Sequence, residues 1–512
     1  MHRQKRSGTN DNQMLPEYAN VPIDPLVENN LLRLKRDMGG SDDLIMRQIH
    51  NTGIREAAAA VVYIDGLCNA TAINQYIFDV LDYSLPQFRE DTSTLDAGAL
   101  AKKLLNGMGP VRTVSELGSL YKNLLSGEAI ILIRGQKHAY SADIREWKGR
   151  DVTESTNQTS VRGPRESFTE TLRTNTSLIR RKIKDPRLWL ETVTLGDLTK
   201  TDVTIMYIKG LAKPAVLQMV RDRLSKIQID GILDSGYIEE LIEDGKWSLF
   251  PTVFNTELPD NVAGQLLEGR VAILVEGTPN VLIAPTQLVT FFQSPEDYYQ
   301  RYFYASLLRA LRFVSVFISL FFPSLYIAIT TFHRDMLPAS LLISLAAQRE
   351  GVPFPAFFEA MIMEITFEIL REAGLRMPRA IGQAVSVVGT LVIGQAAVEA
   401  GIVSAAMVIV VSITAISTFT LPAYSMSIPV RILRFGFMGV AASFGLFGII
   451  MGFFVLMLHL CALRSFGEPF MSPLSPFVKT NMQDALFRLP RWLAFKRPDT
   501  SLEADSSRIR KN

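Results

Sequence analysis

Four glutamates, Glu359, Glu364, Glu368 and Glu372, stand inside an otherwise apolar segment that runs from Pro353 to Glu372, just ahead of several membrane-length apolar stretches. A carboxylate in such a setting needs water, a proton, a cation or a basic partner. On a helix turning about 100 degrees per residue, Glu364, Glu368 and Glu372 fall within a sector of about 80 degrees, and Glu359 lies roughly opposite Glu368. Three of the four therefore form an acidic stripe suited to attracting cations, and Glu359 is expected to serve as a structural or interfacial partner. Centring the three in hydrocarbon costs very roughly 2.5 to 3.5 kcal/mol each, against about 0.3 to 0.6 kcal/mol returned by each large apolar neighbour. A lone lipid-facing span is thus excluded. Two readings stay open: an amphipathic helix at the membrane surface with a solvated acidic face, and a pore or ion path in which the stripe meets a cavity or pairs with Arg371, Arg376 or Arg379.

The elements that must position this stripe are apolar and long. Phe313–Phe332 is uncharged throughout and, at about 1.5 Å per residue, reaches about 30 Å, enough to cross a bilayer; Pro323 is expected to kink or break it. Arg301, Arg309 and Arg312 precede it, which by the positive-inside rule holds the N-terminal region in the cytoplasm. Further spans are expected at 380–398, 403–421 and 435–461, and residues 337–373 read as a re-entrant or broken hairpin buried in protein. Gly382, Ser386, Gly389 and Gly394 let helices approach closely, so 380–398 is expected to pack within the bundle or between subunits. From Ala380 to Leu463 the only acidic residue is Glu399 and the only Arg or Lys residues are Arg431 and Arg434. A basic tail follows from 464 to 512. With both ends inside, four spans plus the hairpin fit best, and six crossings remain open.

The first three hundred residues read as soluble protein. Residues 1–28 are a polar lead-in without a signal-peptide core. Four buried-type strands then end at glycine: Ala60–Gly66, Ala129–Gly135, Thr204–Gly210 and Val271–Gly277. Tyr63-Ile-Asp-Gly-Leu67 matches Tyr207-Ile-Lys-Gly-Leu211, and Leu124-Leu-Ser-Gly127 matches Leu266-Leu-Glu-Gly269. Such near-constant spacing predicts two related α/β subdomains, 29–155 and 156–298. Arg180, Arg181, Lys182 and Lys184 form a basic cluster that either holds an anion or acidic lipid or is a solvated face. The fold class is therefore a multi-domain α+β membrane protein: a cytoplasmic α/β region of two related subdomains, then an α-helical transmembrane bundle over 299–463.

Composition excludes several functions. With 53 basic and 51 acidic residues in 512, the chain is not a nucleic-acid binder. Cys68 and Cys461 are the only cysteines, which rules out a disulfide framework or a thiolate metal site and leaves both to be read as buried small hydrophobes. His2, His50, His138, His333 and His459 show no ligand spacing, and no P-loop, nucleophile elbow or zincin motif occurs, so neither an enzyme nor a metal or other cofactor is expected.

Several stretches taken together resemble the A subunit of GerA-type spore germinant receptors: Pro353-Phe-Pro355, Glu364–Pro378, Ile381–Val398, Ala400–Ser404, Arg162–Glu170 and Ser177–Ile183. The resemblance implies an integral protein of the inner membrane of bacterial endospores, part of a receptor through which dormant spores respond to nutrients. It implies a transporter-like B subunit and a lipoprotein C subunit as partners, and homo-oligomers that conduct monovalent cations. In an oligomer the stripe would become stacked carboxylate rings, with Glu364, Glu368 and Glu372 attracting cations and Arg371 as local counter-charge. A non-conducting scaffold that relays a signal is the alternative. A secondary transporter ranks last, because the sequence shows one broken hairpin and no second copy.

Overall fold

The structure, a computed structural model, describes residues 18, 20–50, 57–74, 111–145, 162–376, 394–478, 481–493 and 497. Order begins ahead of the expected boundary at 29: Ile23 and Val27 are buried, and helix α1 spans Val27–Asp37. The first sheet comprises β1 (Leu44–His50), β2 (Ala57–Ile64), β3 (Val111–Val114), β4 (Ala129–Ile133) and β5 (Ala139–Ala142), in the order β1-β2-β4-β5-β3. Helix α2 (Leu117–Leu124) covers it through Leu117, Leu120, Tyr121 and Leu124. Chain order α3 (Leu172–Lys182), β6 (Leu188–Leu195), β7 (Thr201–Ile208), α4 (Pro214–Ser225), α5 (Ser235–Ile242), β8 (Phe254–Thr256), α6 (Pro259–Leu267), β9 (Val271–Val275) and β10 (Val281–Ala284) builds the second sheet, β6-β7-β9-β10-β8. The two sheets share one topology, antiparallel at every pairing. Central strands β4 and β9 are buried at every position, which is why their sequences are unbroken apolar runs rather than alternating ones. The glycines ending the four strand motifs, Gly66, Gly135, Gly210 and Gly277, all have φ between 79° and 89°, a conformation in which a side chain is strained.

The basic cluster at the end of α3 is not a uniformly solvated face: Lys184 is exposed and Arg181 and Lys182 are half-buried, but Arg180 is buried. Arg180 is 1% exposed and joins the subdomains: its Nε and Nη2 donate to Asp43 at 2.8 and 2.9 Å, and Nη2 also reaches Ser41 Oγ at 3.0 Å. Arg181 pairs with Glu166 at 3.1 Å. The fork geometry of a guanidinium gives this buried pair both charge neutralisation and direction. On α5, burial pushes the Glu239 carboxyl up to about 7, with Glu243 and Asp234 nearby adding to the rise and the Asn255 amide opposing it.

Helix α7 (Tyr302–Thr331) leaves the second subdomain as one element that runs through Pro323. Packing on the C-terminal helices holds it there: Phe321 lies 4.9 Å from Phe437 and 5.9 Å from Phe453, ring to ring. Helices α8 (Ala339–Arg349) and α9 (Ala356–Arg376) follow. No residue of α8 is buried, contrary to the expected buried hairpin; a helical backbone satisfies its own hydrogen bonds and needs no protein cover. Then come α10 (Ala405–Thr418) and α11 (Tyr424–Ala462), with residues 377–393 outside the described ones.

The expected single span 435–461 is instead a hairpin. Gly445 has φ 62° and ψ −143°, and the chain folds back on itself there. Phe437 and Phe453 both pack on Phe321, although a straight helix would hold them about 24 Å apart. The tip rests on the far end of α7, where a Cβ on Gly445 would stand 2.8 Å from the His333 ring. The return arm brings Leu463 back to Gly245 of the second subdomain. Of the two cysteines, Cys461 on this arm is exposed rather than buried, while Cys68 is half-buried against the Gly127 carbonyl at 3.2 Å.

The described part of the tail packs against the rest of the protein. Residues Arg464–Ser465 and Glu468–Pro469 form a small hairpin that docks on the second subdomain, where Ser465 Oγ donates to the Thr252 carbonyl at 2.6 Å and Lys213 pairs with Glu468 at 2.6 Å. Phe466 enters one core of the second sheet and Phe470 the other. The root of α7 is pinned beside it. Asp297, 1% exposed, receives Arg309 Nε at 2.9 Å and Arg312 Nη1 at 2.8 Å, and Arg309 Nη1 also reaches Asp484 Oδ1 at 2.9 Å. Arg488 donates to the Asp297 and Gln300 carbonyls at 2.6 and 2.7 Å.

Two outcomes test this description. Because the folded state raises the Glu239 pKa above its ordinary 4.5, the protonated form's contribution is complete below that value and is lost as pH rises through about 7. Thermal midpoints of purified protein between pH 5 and 8 should therefore fall more for wild type than for Glu239→Gln; parallel curves would refute it. Gly445→Ala should cost at least about 1–2 kcal/mol from backbone strain alone. Truncating His333 to Ala in the same chain should recover only the clash and leave that strain.

Candidate functional site

Helix α9 starts just past Pro353 and Pro355, which keep the preceding chain extended, and packs against α7, α10 and the first arm of α11. Contacts fix its direction. Glu359 meets the start of α10, and Glu368 meets Arg431 near the start of α11, so α9 and α10 run toward the second subdomain while α7 and the first arm of α11 run away from it.

Glu359, wholly buried, accepts from the Ser404 backbone N–H at 2.6 Å and from Ser404 Oγ, with Arg349 Nε 3.8 Å from its other oxygen. Ser404 is the N-cap of α10, its hydroxyl oxygen accepting from Met407 N at 3.3 Å. Glu359 therefore places a negative charge at a helix N-terminus whose amide groups need an acceptor.

The stripe divides. Glu364 is buried, and its Oε2 lies 3.0 Å from Arg434 Nη2. Glu368 receives Arg431 through Nε at 3.0 Å and through Nη2, and Arg434 Nη2 at 3.2 Å, while Arg371 stands 3.9 Å away. Glu372 is exposed and pairs with Arg376 at 2.7 Å. Two carboxylates thus face two guanidiniums from another helix, with Arg371 at the edge. This pairing is what lets α9 carry charge into an apolar bundle, since each unpaired ion would cost several kcal/mol. The central pair is under-coordinated: neither Glu364 oxygen, nor Nε or Nη1 of Arg434, has a well-aligned hydrogen-bond partner.

Arg371, the counter-charge expected from sequence, is the most distant of the three arginines around Glu368. The nearer ones, Arg431 and Arg434, carried a visible signal as the only basic residues between Ala380 and Leu463. Of the small-residue set, Gly382, Ser386 and Gly389 lie outside the described residues. Gly394 is buried, and a Cβ there would meet Val408 of α10 at 3.5 Å, a contact within one chain. No cluster of His, Cys, Asp or Glu able to hold a metal occurs among the described residues. Among the described residues, α7 and the two-armed α11 are long and apolar enough to cross a membrane by length and composition. Between the arms of α11 and residues Trp247–Phe250 lies an apolar groove of about 700 Å3.

Residues 32–500 match the family described as Bacillus/Clostridium GerA spore germination protein, and the chain belongs to that family. Its members are components of germination receptors, not enzymes. The chain is 48% identical to Spore germination protein KA of Bacillus subtilis (strain 168) over 95% of its own length and 89% of that protein's. It is 40% identical to Spore germination protein B1 of the same strain, over 96% of this chain and 100% of that one. The crystal structure of the N-terminal domain of the A subunit of the Bacillus megaterium spore germinant receptor GerK3 is 39% identical in sequence, with a TM-score of 0.41, covering 52% of this chain and 96% of that chain.

The arginine–glutamate arrangement makes a testable statement about stability. Arg434→Met should destabilise the purified protein by roughly 3–5 kcal/mol, because it strands a buried carboxylate, and adding Glu364→Leu should restore most of the loss. Additive losses in the double variant would show that the two side chains do not depend on each other.

Proposed function

We propose that this chain is the A subunit of a nutrient germinant receptor in the spore inner membrane, and that several copies assemble into a nutrient-gated channel for monovalent cations. Its partners in this reading are a transporter-like B subunit and a lipoprotein C subunit, and both its N-terminal half and its tail face the cytoplasm. The single observation behind conduction is the charged face of α9, Glu364 and Glu368 at bundle depth, where lipid does not tolerate them. Packed around an axis, α9 helices would bring together carboxylates that favour cations, with Glu372 at the exposed end. Because Arg431 and Arg434 neutralise two of these carboxylates in the single chain, opening in this reading includes weakening those ion pairs.

A second reading, a non-conducting relay, draws on the Asp297–Arg309–Asp484 network, which couples the second subdomain rigidly to α7 and the tail. Spores carrying Glu364→Gln with Glu368→Gln, at wild-type receptor levels, should release monovalent cations more slowly on nutrient exposure. Unchanged ion flux in correctly assembled spores would reject the channel role of these residues and favour the relay.

A further inference from the structure

The three arginines ahead of the first span do not stand in one environment. Arg309 and Arg312 are consumed by Asp297 and Asp484, so neither is available to lipid headgroups. Arg301 is exposed, and the tail brings a second exposed arginine, Arg491, to the same end of α7. The tail is fixed in that position: Ser306 Oγ accepts from Arg488 N at 3.1 Å, Trp492 packs edge-on against Tyr302 at 5.7 Å, and the Arg491 guanidinium sits 5.6 Å from the Tyr298 ring centroid.

Around these arginines the surface is apolar. Phe303, Leu307, Leu311, Val314 and Phe317 follow one another at helical spacing along one face of α7 and are each 49–74% exposed, so a single stripe runs without a break from the root of the helix toward mid-bundle. Phe487, Trp492 and Leu493 of the tail, 61%, 65% and 49% exposed, widen that stripe at the root. An apolar face continuous with a membrane-length helix, rimmed by exposed arginines and ending in Trp and Tyr, has the chemistry of the lipid–water boundary.

We propose that Arg301, Arg491 and Trp492, with Phe487 and Leu493, form a binding surface for anionic phospholipid headgroups at the end of α7 next to the soluble half. Charge complementarity supplies the phosphate contact and continuity with the α7 stripe supplies the acyl-chain contact. The surface rests on α7 crossing a membrane and is independent of whether the protein conducts ions.

The full chain, reconstituted in vesicles of phosphatidylcholine and phosphatidylglycerol, provides the test. Bromine is placed near the carbonyl end of the acyl chains of one lipid or the other, and the fluorescence difference between wild type and Trp492→Phe isolates the Trp492 component. Brominated phosphatidylglycerol should quench that component at least about twofold more than equal brominated phosphatidylcholine, and Arg301→Gln with Arg491→Gln should abolish the preference. Equal quenching by both lipids overturns the proposal. So does a Trp492 component that neither lipid quenches: sensitivity to aqueous acrylamide would then place the surface in water, and insensitivity would place it under protein.

Discussion

A carboxylate with no access to water governs how the two halves of this protein meet. Asp297 lies between the end of the second subdomain and the start of α7, and two guanidiniums from that helix converge on one of its oxygens. Burying such a charge is tolerable only when partners and geometry are both supplied, and here they come from three separated segments. Arg309 and Arg312 belong to α7, Asp484 and Arg488 to the tail, and Tyr298, whose hydroxyl donates to Asp484 at 2.8 Å, to the segment that links the second subdomain to α7. The contacts are redundant, since Asp297 holds two arginines and Arg309 reaches two carboxylates. The end of the second subdomain, α7 and the described part of the tail therefore form a single electrostatic unit.

The same constraint recurs deeper in the bundle with a different result. Arg309 and Arg434 each reach two carboxylates, and each site leaves buried polar atoms without aligned partners: Asp297 Oδ1 and Arg309 Nη2 at one, both Glu364 oxygens with Arg434 Nε and Nη1 at the other. The difference lies in the carboxylate: Asp297 accepts two aligned guanidinium hydrogen bonds, whereas Glu364 accepts none.

Much of this was legible in the sequence where chemistry is local. Strands ending in Gly, the repeated Tyr-Ile-X-Gly-Leu and the carboxylate stripe each follow from near-neighbour spacing. The stripe's energetics demanded basic partners, and Arg431 and Arg434 met the same demand from the other side, yet their union spans more than sixty residues and no periodicity reports it. Gly445 was hidden for a related reason. A glycine among apolar residues reads as one more small residue in a span, and only the backbone reveals that the chain reverses there. Arg180 looked like surface because three basic neighbours surround it, and its burial depends on Asp43 in the other subdomain.

The small hairpin at 464–469 carries a consequence for the order in which the protein is made. Phe466 and Phe470 fill opposite cores of the second sheet, whose own strands are synthesised before α7. Those cores receive their last aromatic residues only after α7 through α11 have been translated and the return arm of α11 has brought the chain back to the second subdomain. Completion of the second subdomain thus reports on closure of the helical bundle: a chain whose α11 fails to reverse leaves two aromatic positions unfilled in a domain whose last strand ended at Ala284.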